Sequence, residues 1–194
     1  MIISVAGGTG SGKTTISKQI ASKLRDCHDL NVVIISMDNY YKNIHEEFFE
    51  NYDHPLAFNE KILFDDLQNF INNKTIPIRS YCYQTKQTDI ISTNKAVDIL
   101  ILEGLYAFYN PKIRLLCEHK LYLDLEESVR LERRVNRDKI ERGISAEENL
   151  KMINDFVKKM HKEFVSTQIE FADKVYREEK DLLLFLNRIL SNCK

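Results

Sequence analysis

Apolar positions along this chain recur in two rhythms. Met1-Ile2-Ile3-Ser4-Val5-Ala6, Asn31-Val32-Val33-Ile34-Ile35-Ser36 and Val97 to Leu102 are short β-branched or nearly continuous apolar runs. Each predicts a strand, and the second reads as one covered on both faces, as in a parallel sheet. Lys120-Leu121-Tyr122-Leu123-Asp124 and Asp173-Lys174-Val175-Tyr176 predict two more. Between them the spacing turns helical, with Ile16, Ile20 and Leu24 on one face and Ile62, Leu63, Leu67, Phe70 and Ile71 on another. A long, very polar helix is predicted from about Glu127, further helix from Ser145 to about Phe171, and a last helix through Leu190. Residues 76–92 predict two short extended pieces forming a hairpin outside the main sheet. Tyr40 to Asn59 is aromatic-rich, irregular and too long for a simple connection, which suits a lid or binding segment.

The first strand runs into Gly7-Gly8-Thr9-Gly10-Ser11-Gly12-Lys13-Thr14, with Thr15 following. This fits G-x-x-x-x-G-K-[ST], the phosphate-cradling P-loop, and it stands where that motif needs to stand, between a strand and a helix. Glycine-rich backbone lets consecutive N–H groups turn onto an anion, while the helix start presents the positive end of its dipole. Lys13 supplies a charge for the β/γ-phosphates and the Thr14 hydroxyl a ligand for Mg²⁺.

Two carboxylates fall on the same edge. Asp38 follows the second strand by two residues, and ligands of open α/β sheets lie beyond the carboxyl ends of strands. Position alone leaves Asp38 divided between a functional role and a turn or cap. Glu103 follows Ile99-Leu100-Ile101-Leu102, the Walker B pattern of a carboxylate that meets the P-loop Mg²⁺ directly or through water. On the polar helix, Arg130, Arg134 and Arg137 share a face, with Arg133 and Arg142 nearby. Either they form a solvated face paired with Glu126, Glu132, Asp138 and Glu141, or the helix, with few apolar anchors, is a mobile lid over about 127–145.

Bulk properties narrow the class. The 194 residues suit one domain with a full core, and 43% hydrophobic with 29% charged residues is ordinary for a globular protein. A formal net charge of -1 argues against nucleic acid as a general partner. Cys27, Cys82, Cys117 and Cys193 show no metal or redox spacing, and His28, His45, His54, His119 and His161 show none either. A strand starting at residue 2 leaves no room for a signal peptide, and Leu182 to Leu186 is too short to span a bilayer. The expectation is a cytoplasmic protein with no membrane partner; its oligomeric state is open, a homo-oligomer included.

Taken together, GGTGSGKTT (7–15), SMDNYYK (36–42), NYDHPLAFN (51–59), LILEGLYAF (100–108), RRVNRDKIERG (133–143) and FADKVY (171–176) resemble the uridine kinase family of P-loop phosphotransferases, close to phosphoribulokinases. The resemblance implies a three-layer α/β P-loop fold whose five-stranded parallel sheet, near 2–6, 32–36, 98–103, 119–124 and 173–176, has order 2-3-1-4-5. It implies one domain over 1–194, with a substrate-side segment at about 40–92 and a helical lid. It implies ATP or another nucleoside triphosphate as phosphoryl donor with Mg²⁺, the metal held by Thr14, Asp38 and Glu103. Asp38 matches the catalytic base on the nucleoside 5′-hydroxyl, and Asp53 the residue binding the ribose hydroxyls. Tyr41 falls on the acceptor side, and Arg134, Arg137 and Arg142 match lid arginines reaching the phosphates. Where the family reads a base-contacting tyrosine and histidine, this chain has Arg79 and Gln84, with Tyr81 between them. Ile144 and His161 stand where arginines are usual.

The leading expectation is an ATP:nucleoside 5′-phosphotransferase acting on uridine, with cytidine also open as an acceptor. Its rivals are a kinase of another small hydroxyl compound and a nucleotide-binding regulator without an acceptor. If Arg79 faces the acceptor pocket, its donors suit the 4-oxygen of uracil and oppose the amino group of cytosine. Alternatively Arg79 points away and Tyr81 or Tyr83 takes the place.

Overall fold

The computed structural model describes residues 1–28, 30–42 and 51–192. Part of the long segment expected at 40–59, residues 43–50, therefore lies outside the described residues, as does His45. Five parallel strands form the sheet: β1 (Ile2–Gly7), β2 (Val32–Ser36), β5 (Ile99–Gly104), β6 (His119–Leu123) and β7 (Lys174–Tyr176). Across the sheet they run β2-β5-β1-β6-β7, the predicted order when only these strands are counted. β3 (Ile76–Cys82) and β4 (Gln87–Asn94) pair antiparallel as the separate hairpin.

Alternation along the central strands explains the layers. Ile3, Val5, Ile99 and Ile101 face α1 (Lys13–His28) and α7 (Glu179–Asn192), packing with Ile16, Ile20, Leu24, Phe185 and Ile189. Ile2, Leu100 and Leu102 face the other way, onto Met37, Tyr40, Phe58, Tyr106, Phe108 and the apolar side of α2 (Glu60–Asn73). Both faces of the sheet are thus covered, as the near-continuous apolar runs require. The remaining helices are α3 (Pro111–Leu116), the polar α4 (Glu127–Glu141), α5 (Ala146–Met152) and α6 (Lys158–Met160). Two π-helical turns, Ile153–Val157 and His161–Val165, flank α6 and keep the chain helical through Phe171. Among the described residues no helix is long and apolar enough to cross a membrane.

Register places the site. Ser36 of β2 lies beside Glu103, Glu103 beside Val5, and Gly7 beside Leu123, so four strands end along one edge. α1 starts there at Lys13. The first turn of α4 packs over the same edge, with the backbone carbonyl of Arg130 so close to Gly10 that a side chain at position 10 has no space. Gly10 also has φ of +71°, a conformation glycine adopts at low cost.

Candidate active site

Each site residue is delivered by local structure. Ser36 caps a 3-10 turn over Met37–Tyr40, its hydroxyl accepting from the Asp38 amide at 3.3 Å, and the turn carries Asp38 over the strand end. Asn51 accepts from the Asp53 amide at 3.0 Å, an Asx-type turn. The Tyr106 hydroxyl donates to the Asp53 carbonyl, and His54 Nδ1 caps the next turn by accepting from Leu56 N at 3.1 Å. Asp53 is thereby fixed by residues on both sides of it.

Around the P-loop the charges are close and mostly shielded from water. Lys13 Nζ donates to the Gly8 carbonyl at 3.0 Å. Burial pulls its pKa below the ordinary lysine value, while Glu103 and Asp38 oppose that shift. Burial pushes Glu103 up and the charge of Asp38 adds to it, with Lys13 pulling the other way. Thr14 Oγ1 donates to Glu103 Oε1 at 3.3 Å. Two carboxylates and a hydroxyl converging beside one lysine make an all-oxygen donor set suited to a hard divalent cation that also keeps phosphate and water ligands. Among the described residues no group of three or more His, Cys, Asp or Glu is placed to hold a metal alone.

Two hollows meet at this point. The larger, about 1120 Å³, opens along Gly10, Ser11, Gly12, Thr15 and Arg133. The smaller, about 440 Å³, reaches toward Tyr41, Tyr52, Asp53, Gln84, Arg134 and Met152. Lys13, Thr14, Asp38, Tyr83, Glu103, Arg137 and Arg142 line both. A phosphate-sized anion at the shared floor would be open to a second molecule from the other side.

Residues 2–182 match the phosphoribulokinase/uridine kinase family. The chain belongs to that family. Among its relatives, a uridine kinase of Halalkalibacterium halodurans is 35% identical over 92% of this chain and 86% of that protein. One of Macrococcus caseolyticus is 34% identical over 91% of this chain and 87% of its own length. In fold, the chain is similar to a solved structure described as a possible uridine kinase from Bacillus stearothermophilus, with a TM-score of 0.68 at 18% identity, covering 91% of this chain and 88% of that one.

Against the family pattern, several residues stand elsewhere than the sequence suggested. Arg134, expected at the phosphates, does not line the larger hollow; its guanidinium donates to both Asp53 oxygens at 2.9 and 3.1 Å. The cause is burial: only 3% exposed, Arg134 needs carboxylate partners, and Asp53 and Asp138 supply them. Arg79 does not line the smaller hollow, which Arg134 does. Its Nε and Nη2 donate to Asp66 at 2.7 and 3.1 Å, and its guanidinium lies 5.6 Å from the Tyr40 ring centroid. Tyr81 is buried, packing 5.1 Å from the Tyr41 and Tyr83 rings without reaching the hollow. Tyr83, Gln84 and Ile144 line it instead. Gly7 and Gly8 shape the loop behind the site, where Arg130 packs against Gly8 and its Nη2 lies 3.3 Å from His161 Nε2. Burial and the neighbouring Arg130 hold His161 near a pKa of about 4, so its imidazole is neutral and accepts.

Two residues carry more than the sequence assigned them. Asp138 is 0% exposed and gathers Arg134, Arg137 and Arg142 at 3.4, 2.7 and 3.5 Å, with the Asn149 amide donating to it at 3.2 Å. Arg137 and Arg142 hold its carboxyl below the usual range against the opposing effect of burial. The signal was present in the i,i+4 spacing of Arg134, Asp138 and Arg142. Tyr83, which with Tyr81 is the alternative to Arg79, is the other, and it lines both hollows.

Proposed function

We propose that this protein transfers the γ-phosphoryl of ATP to the 5′-hydroxyl of a nucleoside, with uridine the leading acceptor. The observation that carries this reading is the pair of hollows meeting at Lys13 and Asp38, one leading to the P-loop and the other to Asp53. Bound Mg²⁺, held by Thr14, Asp38 and Glu103, would neutralise charge on the transferring group. Lys13, Arg137 and Arg142 line the place where that charge develops. Asp38 is placed to accept the hydroxyl proton as the new P–O bond forms and ADP leaves. Asp53 with Arg134 offers acceptors and donors to a ribose diol. The sequence kinship to uridine kinases supports uridine. A regulator without an acceptor would have no use for the second hollow.

Arg79 lies away from the acceptor-side hollow, so its donors give no reason to favour uridine over cytidine. The test is a panel of nucleosides, with ribulose 5-phosphate as a non-nucleoside comparison, incubated with ATP and Mg²⁺ and read as monophosphate formed. The expected result is efficient formation of uridine monophosphate, with cytidine used at a rate within about 10-fold, since the donor-only guanidinium of Arg79 lies outside the smaller hollow. Phosphorylation of none of the nucleosides, with ATP still bound, would overturn the nucleoside reading.

A further inference from the structure

We propose that Tyr83 is a positioning residue for this transfer, its single hydroxyl tying Asp38 to Arg142. The inference rests on the kinase reading for its catalytic consequence, but the tie itself can be measured without turnover.

Tyr83 follows the end of β3, at the tip of the hairpin, and its side chain reaches back 45 residues in sequence to the sheet edge. Its hydroxyl donates to Asp38 Oδ2 at 3.2 Å and accepts from Arg142 Nη2 at 3.0 Å. One phenol has one proton to give and lone pairs to receive, so the two bonds are made together without conflict. The Arg142 guanidinium also stacks 4.4 Å from the ring centroid. Its other terminal nitrogen, Nη1, lies 3.5 Å from Asp138, so Arg142 is stretched between the buried carboxylate of α4 and the hairpin. From behind, Tyr81 and Tyr41 meet the Tyr83 ring edge-on at 5.1 and 6.3 Å.

Three separate parts of the chain therefore converge on one oxygen: the turn after β2, the hairpin and the end of α4. Both bonds go to charged groups, which makes them stronger than neutral ones. Yet Tyr83 is 43% exposed and contributes little to the core. Such a residue serves geometry more than stability: it sets the rotation of the Asp38 carboxylate and holds Arg142 over the phosphate cleft.

Tyr83→Phe tests this, because it keeps the ring, the edge contacts and the stacking on Arg142 while removing both hydrogen bonds. Three quantities are compared with the wild type: Tm, amide exchange of residues 137–145 in the nucleotide-free protein, and kcat with KM for ATP. The expected result is unchanged Tm, severalfold faster exchange at the end of α4, and kcat lower by about 10-fold with little change in KM for ATP. Exchange at the wild-type rate, or kcat within about twofold of wild type, overturns the proposal. A fall in Tm that accounts for lost turnover also overturns it, since Tyr83 is then a packing residue. If the wild type transfers phosphate to no acceptor, the kinase reading has failed, and the exchange comparison alone decides the tie.

Discussion

Arg79 shows how a single residue's role is set by a partner that no motif records. In the sequence it fills a base-reading position, and its charge suggests a donor for the acceptor's base. In the fold it faces Asp66, which is 7% exposed and also accepts from the Tyr40 hydroxyl at 2.9 Å. A carboxylate that buried draws in the nearest guanidinium, and the geometry is bidentate. Arg79→Ala is therefore expected to lower stability by about 2–4 kcal/mol, because Asp66 keeps its charge and loses its main partner. Acceptor preference should be unaffected. Urea unfolding beside a uridine/cytidine comparison checks both halves; a stable variant with altered preference would return Arg79 to the acceptor. Lys13, Thr14 and Glu103 were legible by contrast, because a P-loop and a strand end define their own surroundings within a few residues.

At the scale of elements, α4 is the least ordinary. Its sequence has few apolar anchors, which suits a mobile lid better than a core element. In the structure Arg130, Arg134 and Asp138 form a buried polar face, with Asp138 where the helix lacks an apolar anchor. Buried charges are tolerated here because each has partners on more than one element, Asp53 for Arg134 and Asn149 for Asp138. Removing the shared carboxylate should then destabilise the protein strongly. Asp138→Asn is expected to cost about 3 kcal/mol or more, since Arg137 and Arg142 lose their common counter-charge and Arg134 keeps only Asp53. Denaturant unfolding measures it; a loss under about 1 kcal/mol would mean the arginines are held by other contacts. Pairings of this kind span 81 residues for Arg134 and Asp53, a separation that helical periodicity cannot reach. The strands and helices themselves were readable because their apolar spacing is local.

For the whole molecule, strand order and site position follow from one another. β1 lies between β5 and β6, so the P-loop leaves the middle of the sheet and the ends of β2 and β5 bring Asp38 and Glu103 beside it. The smaller hollow is lined by what the sheet does not supply: the hairpin, the turn at Asp53 and α4. Sequence conveyed the first half well and the second poorly, because the second is built from side-chain pairings between distant segments. The central claim is that these halves meet for phosphoryl transfer with Asp38 taking the acceptor's proton. Its most direct test is turnover of Asp38→Asn against wild type, with ATP, Mg²⁺ and uridine at saturation and ATP affinity measured in parallel. An amide cannot accept that proton, so turnover is expected to fall by about 10²-fold or more with ATP binding largely kept. Turnover within a fewfold of wild type would contradict the role and return Asp38 to a residue of the turn that carries it.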